Sequence, residues 1–203
     1  FPWGVLPISA VRRFRPSIIG NTMIEKNLPF SEAEFQRRLT KTRTAMDTAG
    51  IDVLFTTDPS NQNWLTGYDG WSFYVHQGVI VLPDADPVWW GRNQDANGGV
   101  RTVWMTDDRV MGYADNYVQS TERHPMQDLA ERLRGMGVQN KRIGVEMDNY
   151  YFSAKAFAVL QAELPDATFV DATALVNWQR GVKSDEELAF IRKAAAISEI
   201  IID

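Results

Sequence analysis

SEAEFQRRLTKTRTAMDTAGIDVLFTTDPSNQNWLTG, residues 31–67, sets the alternation on which the fold reading rests. Ser31 followed by Glu34 is a capping box, and Phe35, Leu39, Thr42, Ala45, Met46 and Ala49 then recur at helical spacing until Gly50 stops the pattern. Asp52 to Thr57 (DVLFTT) is a short apolar run rich in β-formers, closed by the punctuation Asp58-Pro59-Ser60. Ser60 is placed to cap a short helix that ends at Gly67. Helix, buried strand, helix is the opening of an α/β domain.

Working outward, two β-rich stretches flank the turn Pro83-Asp84-Ala85-Asp86-Pro87, which predicts a hairpin with the aromatic stretch and His76 at its start. Gln94 to Trp104 reads as a helix despite Gly98 and Gly99, and Arg109 to Tyr113 as a strand. Met126, Leu129, Leu133 and Met136 form a helical stripe ended by Gly137, and Arg142 to Glu146 (RIGVE) is the next strand. Ser153 caps a helix bearing Phe157, Leu160 and Leu164, stopped by Pro165. Thr168 to Val170 is a brief strand, and Asp171 or Thr173 starts a helix running through Trp178. Strands alternating with helices imply one mixed sheet of about five or six strands, flanked by helices, over residues 30–178. No internal repeat interrupts it.

The last segment changes character. Ser184 and Glu187 make another capping box, opening a helix whose Leu188, Ile191, Ala195 and Ile202 still need a partner surface where the sequence stops. Such a helix is expected to dock on its own lobe or on a neighbouring copy. Residues 1–22 show neither helical nor strand period, and are read as an extension outside the fold.

Composition narrows the function. With 44% apolar residues among 203, the chain buries one substantial core. It has no cysteine, which removes disulfides, thiolate metal sites and a thiol nucleophile, and suits a reducing cytoplasm. Arg12, Arg13 and Arg15, with no acid among residues 1–22, leave the remainder at −8 out of a net −5, so nucleic acid is not the expected partner. No run of roughly 18 apolar residues suggests a membrane span. His76 and His124 are the two histidines, and neither lies in a metal-ligand spacing. Gly98-Gly99 lacks the context of a nucleotide fingerprint.

The stretch QRGVKSDEELAFIRKAAAISE, residues 179–199, resembles the junction of the creatinase/prolidase (pita-bread, peptidase M24) superfamily, with Arg180, Lys183, Ser184, Glu187, Leu188, Ile191, Arg192 and Ala194 on its pattern. The upstream order is also similar: helix, strand, D-P-S-N, W-L-T-G, hairpin, then G-V-E at Gly144 to Glu146. Within the superfamily, WLTGYDGWSFYVHQ, YVQSTERHPM, GVEMDNYYFSA and FVDATALVNWQR look most like the ectoine hydrolases. The resemblance implies a ribonuclease-H-like N-terminal domain over residues 23–178, and a linker with the first helix of a catalytic lobe over 179–203. It also implies that the catalytic residues, and in metal-dependent members a dinuclear divalent centre held by two Asp, one His and two Glu, lie in a lobe downstream. No catalytic residue, metal ligand or cofactor is therefore assigned to this chain.

The resemblance further implies a homodimer or higher homo-oligomer, in which the segment after T-G reaches the partner's substrate. Phe73 stands where creatinase has an aromatic residue, but Val75 stands where it has an Arg. Tyr68, Asp69, Trp71, Phe73, Tyr74 and His76 are the candidate substrate-binding residues: aromatic faces and a carboxylate suit a compact cationic ring, and equally four aromatics in seven residues suit simple packing. Asn149, Tyr150 and Tyr151 follow a strand end, where loops carry function or cap the next helix. The function implied is the substrate-gating and dimerisation lobe of a hydrolase acting on C–N bonds of a small solute. Prolidase, creatinase and lyase parents and a stand-alone binding module remain open beside it.

Overall fold

A computed structural model describes residues 26, 28–70, 72 and 74–202; the 1–22 extension, Trp71 and Phe73 lie outside the described residues. The elements run α1 (Glu32–Ala49), β1 (Val53–Thr56), α2 (Pro59–Thr66), β2 (Gly78–Val81), β3 (Val88–Arg92), α3 (Asn93–Thr102), β4 (Val110–Tyr113), α4 (Pro125–Gly135), β5 (Arg142–Val145), α5 (Ala154–Glu163), β6 (Thr168–Asp171), α6 (Leu175–Gly181) and α7 (Asp185–Ile202). Six strands form one sheet in the order β4-β3-β2-β1-β5-β6. β1, β2 and β3 pair antiparallel, and the flanking pairs β3/β4, β1/β5 and β5/β6 are parallel. This is the mixed, helix-flanked sheet that the alternation predicts.

Both faces of the sheet are covered, so its central strands carry no polar side. On one face Val53, Phe55, Ile80 and Trp90 pack with Leu129 and Leu133 of α4 and Leu160 of α5. On the other, Leu54, Val79 and Trp89 meet Leu39 and Met46 of α1, Leu65 of α2 and Val176 of α6. Trp89 and Trp90 are both fully buried on opposite faces, as strand alternation requires. Trp90 can be buried with its polar edge because Nε1 donates to Asp128 Oδ2 at 2.8 Å.

Local signals act as read at several ends. Ser31 Oγ accepts from the Glu34 amide, Gly50 takes the left-handed conformation at φ 63°, and Ser153 Oγ accepts from the Ala156 amide. Four details differ. Asp58, not Ser60, caps α2, because Pro59 fits the first helical position and so fixes the cap one residue earlier. β2 begins only at Gly78, so His76 and Tyr74 lie in the connection from α2 and not in the hairpin; Gly78 packs flat on Phe55, where a Cβ would sit 2.5 Å from the ring. Asp171 Oδ1 accepts from the Thr173 amide and hydroxyl, closing a turn that delays α6 to Leu175. The Glu34 side chain does not return to Ser31; the Ser31 amide and hydroxyl donate instead to Glu186 of α7, at 3.0 and 2.6 Å.

Glu34 is held elsewhere. It accepts from Arg37 and from Arg38, whose guanidinium, 1% exposed, also donates to the Trp64 carbonyl and to Glu187. Trp64 Nε1 donates to the same Glu187 oxygen at 2.7 Å, and Phe30 covers the Arg38 guanidinium 4.0 Å from its ring centroid. Burial pushes the Glu34 carboxyl up, but hydrogen bonds from Arg37 and Arg38 outweigh it and hold the group at about 2. The Ser184–Glu187 capping box is complete, with both bonds made. The first turns of α7 are thus tied to α1 and α2, whereas Ile191, Ile197, Ile200, Ile201 and Ile202 are exposed and Leu188 is half-buried. The helix therefore docks only through its start.

Truncating Arg38 removes the buried cation that Glu34 and Glu187 share, leaving them only the half-exposed Arg37. Arg38→Ala is expected to lower unfolding stability by about 3–5 kcal/mol, read as a reduced urea midpoint; an unchanged midpoint contradicts the network's role.

Candidate functional site

Glu146, at the C-terminal end of β5 and beside the end of β1, is 1% exposed and saturated with donors. It accepts from the Thr56 hydroxyl (2.7 Å), the Thr57 amide (2.7 Å), the Asp58 amide (2.9 Å) and Asn61 Nδ2 (2.7 Å), with longer bonds from the Thr57 hydroxyl and Asn149 Nδ2. Asn61 passes the connection on, donating to Asn177 Oδ1 and accepting from Arg180. One carboxylate thus fixes the loop end of the sheet and the starts of α2 and α6. The sequence marks Glu146 only as an acid ending an apolar strand; its partners come from distant segments.

Several cavities open around the lobe, and two of them hold predicted site residues. The first, about 520 Å³, lies among α2, the Tyr68–Gly70 turn and the start of α7, with walls from Phe30, Trp64, Tyr68 and Phe190 and with Arg180 and Lys183 at its rim. Tyr68 is buried against Trp89, ring centroids 4.6 Å apart, and its hydroxyl donates to Gln77 Oε1. Burial, reinforced by Asp95, pushes that hydroxyl well above its ordinary value, so Tyr68 stays a neutral donor. Asp69 is exposed on the same cavity.

The second cavity, about 170 Å³, holds His76 and His124 with Tyr74, Tyr113, Tyr117 and Arg123. The two imidazole rings lie 4.9 Å apart, tilted by 41°. His124 is the N-cap of α4: its Nδ1 accepts from the Met126 amide at 3.2 Å, and Gln127 Oε1 accepts from the His124 amide. Burial, with His76 and Lys155 adding to it, lowers the His124 pKa to about 4. Burial also lowers His76, against a hydrogen bond to the Tyr151 backbone. The Tyr113 hydroxyl donates to the His76 carbonyl, and Tyr74, 51% exposed, accepts from Arg92.

The predicted substrate-binding residues therefore divide. Tyr68 and Asp69 share the larger cavity, Tyr74 and His76 the smaller, and Trp71 and Phe73 lie outside the described residues. Sequence reading saw neither the Glu146 hub nor the meeting of His76 with His124. Asn149 and Tyr151 turn on each other next to Glu146, and Tyr150 is exposed. Among the described residues no group of three or more His, Cys, Asp or Glu is placed to hold a metal ion, so a dinuclear centre does not fit on them.

The six-stranded lobe and its loop end define a class: the chain belongs to the creatinase/prolidase N-terminal domain family, whose model matches residues 38–182. Among individual proteins it is similar to an ectoine hydrolase from Halomonas elongata, 53% identical over 176 residues that cover 86% of this chain and 44% of that protein. An uncharacterised hydrolase/peptidase from Sinorhizobium fredii is 44% identical over 85% of this chain and 44% of its own length. A Bacillus creatinase is 28% identical over 92% of this chain and 43% of its own. The chain thus spans under half the length of these curated relatives. A proline dipeptidase from Streptococcus pneumoniae superposes with TM-score 0.57 at 23% identity, over 71% of this chain and 98% of that one. An Xaa-Pro dipeptidase from Bacillus anthracis gives 0.63 at 16%, over 82% and 43%. At those identities the likeness is of fold.

The neutral His124 has a pH signature. Its folded pKa of about 4 lies below the ordinary 6.5, so below pH 6.5 the unfolded chain takes a proton that the folded one refuses. Stability is expected to be full above pH 6.5 and to fall until about pH 4. Urea midpoints across that window check it: His124→Asn, which retains a capping side chain, should flatten the fall, and an unchanged slope contradicts the assignment.

Proposed function

We propose that this polypeptide is the substrate-gating and dimerisation lobe of a hydrolase that opens a C–N bond of a small solute, ectoine first, and that the bond-breaking groups belong to a second lobe. The observation that carries the reading is the 53% identity with an ectoine hydrolase over 86% of the chain and 44% of that enzyme. The site's chemistry supports it. Tyr68 and Trp64 offer aromatic faces with Asp69 at the margin of a cavity large enough for a small ring, and a planar amidinium is attracted by such faces and by a carboxylate. In this reading two copies pair in the cytoplasm, with the connection between α2 and β2 of one reaching the substrate of the other, and any dinuclear metal centre is supplied by the second lobe.

The test uses the 203-residue polypeptide and the full-length enzyme containing it, with ectoine and a proline dipeptide as substrates. The polypeptide is expected to turn over neither, with or without Zn²⁺, Mn²⁺ or Co²⁺, and the full-length enzyme to open ectoine. In the full-length enzyme Asp69→Asn should raise KM about tenfold, the scale of one lost charge-assisted contact, with kcat less affected. Sedimentation should give the full-length enzyme twice its chain mass. Metal-dependent turnover by the pure polypeptide, or a full-length enzyme active on the dipeptide alone, overturns the reading.

A further inference from the structure

The smaller cavity has features that packing leaves unused. His124 Nδ1 is committed as an acceptor to the Met126 amide, so the proton of this neutral imidazole resides on Nε2, which makes no bond among the described residues. The pair is therefore unsuited to gripping a metal ion: ligation through Nε2 would move that proton to Nδ1 and break the cap of α4. His76 has the complementary arrangement. The Tyr151 backbone favours a proton on one ring nitrogen, which leaves the other as an acceptor.

A cation stands at the rim. Arg123 lines the cavity, yet its guanidinium makes no ion pair or hydrogen bond among the described residues; only its backbone amide is bonded, to Ser120 Oγ. Lys155 adds positive potential near His124. The segment leading to Arg123 is held in a conformation L-residues avoid, with Gln119 at φ 51°, and strain of that kind clusters where a loop presents groups to a ligand. Tyr74 and Tyr117 add aromatic walls, and 170 Å³ is the room of about five or six waters, enough for a small ring.

We propose that this cavity is a second site, separate from the larger cavity beside Tyr68 and Asp69, and that it binds a small zwitterion, taking its carboxylate on Arg123 and His124 Nε2–H and its cationic N–H on the second ring nitrogen of His76. An anion at the Arg123 rim and a donor at His76 match these three groups. The neutral state of both rings keeps these roles fixed at pH 7, because a protonated His76 would offer a second donor and repel the cationic end. Only the choice of ectoine as the zwitterion rests on the proposed function; the site itself rests on the geometry. It gives the lobe a means of holding a carboxylate from an element other than the one that carries Val75.

Having two histidines, the chain reports on this site directly through their imidazole C–H resonances in proton NMR. Ectoine titrated into the 203-residue polypeptide at pH 7 is expected to shift both histidine signals along one saturable curve, and ectoine amide, without the carboxylate, to shift neither. Arg123→Gln should weaken ectoine about tenfold, as loss of one charged contact does. His124→Asn, which keeps a capping side chain but removes the Nε2–H, should weaken it on the same scale while His76 still reports. Proline serves as a second zwitterion: Arg123-dependent binding of proline without ectoine upholds the site and rejects ectoine as its ligand. Histidine signals unmoved by either zwitterion, or affinities indifferent to Arg123→Gln, overturn the proposal, and they do so even if the full-length enzyme opens ectoine.

Discussion

Burying a carboxylate is costly unless donors surround it, and Glu146 meets that demand by drawing three segments together. Its partners are side chains and amides at the end of β1, the first turn of α2 and the loop after β5. Because the Thr57 and Asp58 amides point at its oxygens, the chain leaves β1 at a fixed angle, and Asp58 is thereby placed to cap α2. Asn61 then relays the arrangement to Asn177 and Arg180.

A second charged cluster does the same work for α7. Arg38 joins Glu34 of its own helix to Glu187, and Glu186 takes over the capping of Ser31. The junction segment is therefore built into the lobe by its first two acids, while the isoleucines beyond Ile191 make no such attachment. The start of the helix is thereby held to the lobe, while the remainder exposes its apolar side chains.

How much of this is legible in the sequence depends on the range of the interaction. Helix ends governed by residues three or four apart, such as Ser31, Gly50, Ser153 and the Ser184–Glu187 box, are readable because cap and capped amide share one turn. The strand order is implied only as a mixed sheet, since pairing of β1 with both β2 and β5 is decided by packing. Asp58 reads locally as turn punctuation, yet Pro59 at the first helical position makes it the cap of α2. The Glu146 hub, the Arg38–Glu187 bridge and the stacking of His76 on His124 join residues remote in sequence, and no local pattern reports them. Tyr68 and His76 look like one cluster on paper, but Tyr68 turns to the α1 side of the sheet with Trp89, whereas His76 sits by Tyr113 and the start of α4 on the other side.

The claim at the centre is that Glu146 holds the loop end of this sheet in place, and hydrogen–deuterium exchange of the Thr57 and Asp58 amides measures it directly. In the wild type these amides are expected to exchange with the slow core. In Glu146→Gln, where an amide group must face donors, they should exchange far faster, together with the first turn of α2, while β3 and β4 remain protected. Equal protection of Thr57 and Asp58 in the two proteins would contradict the account.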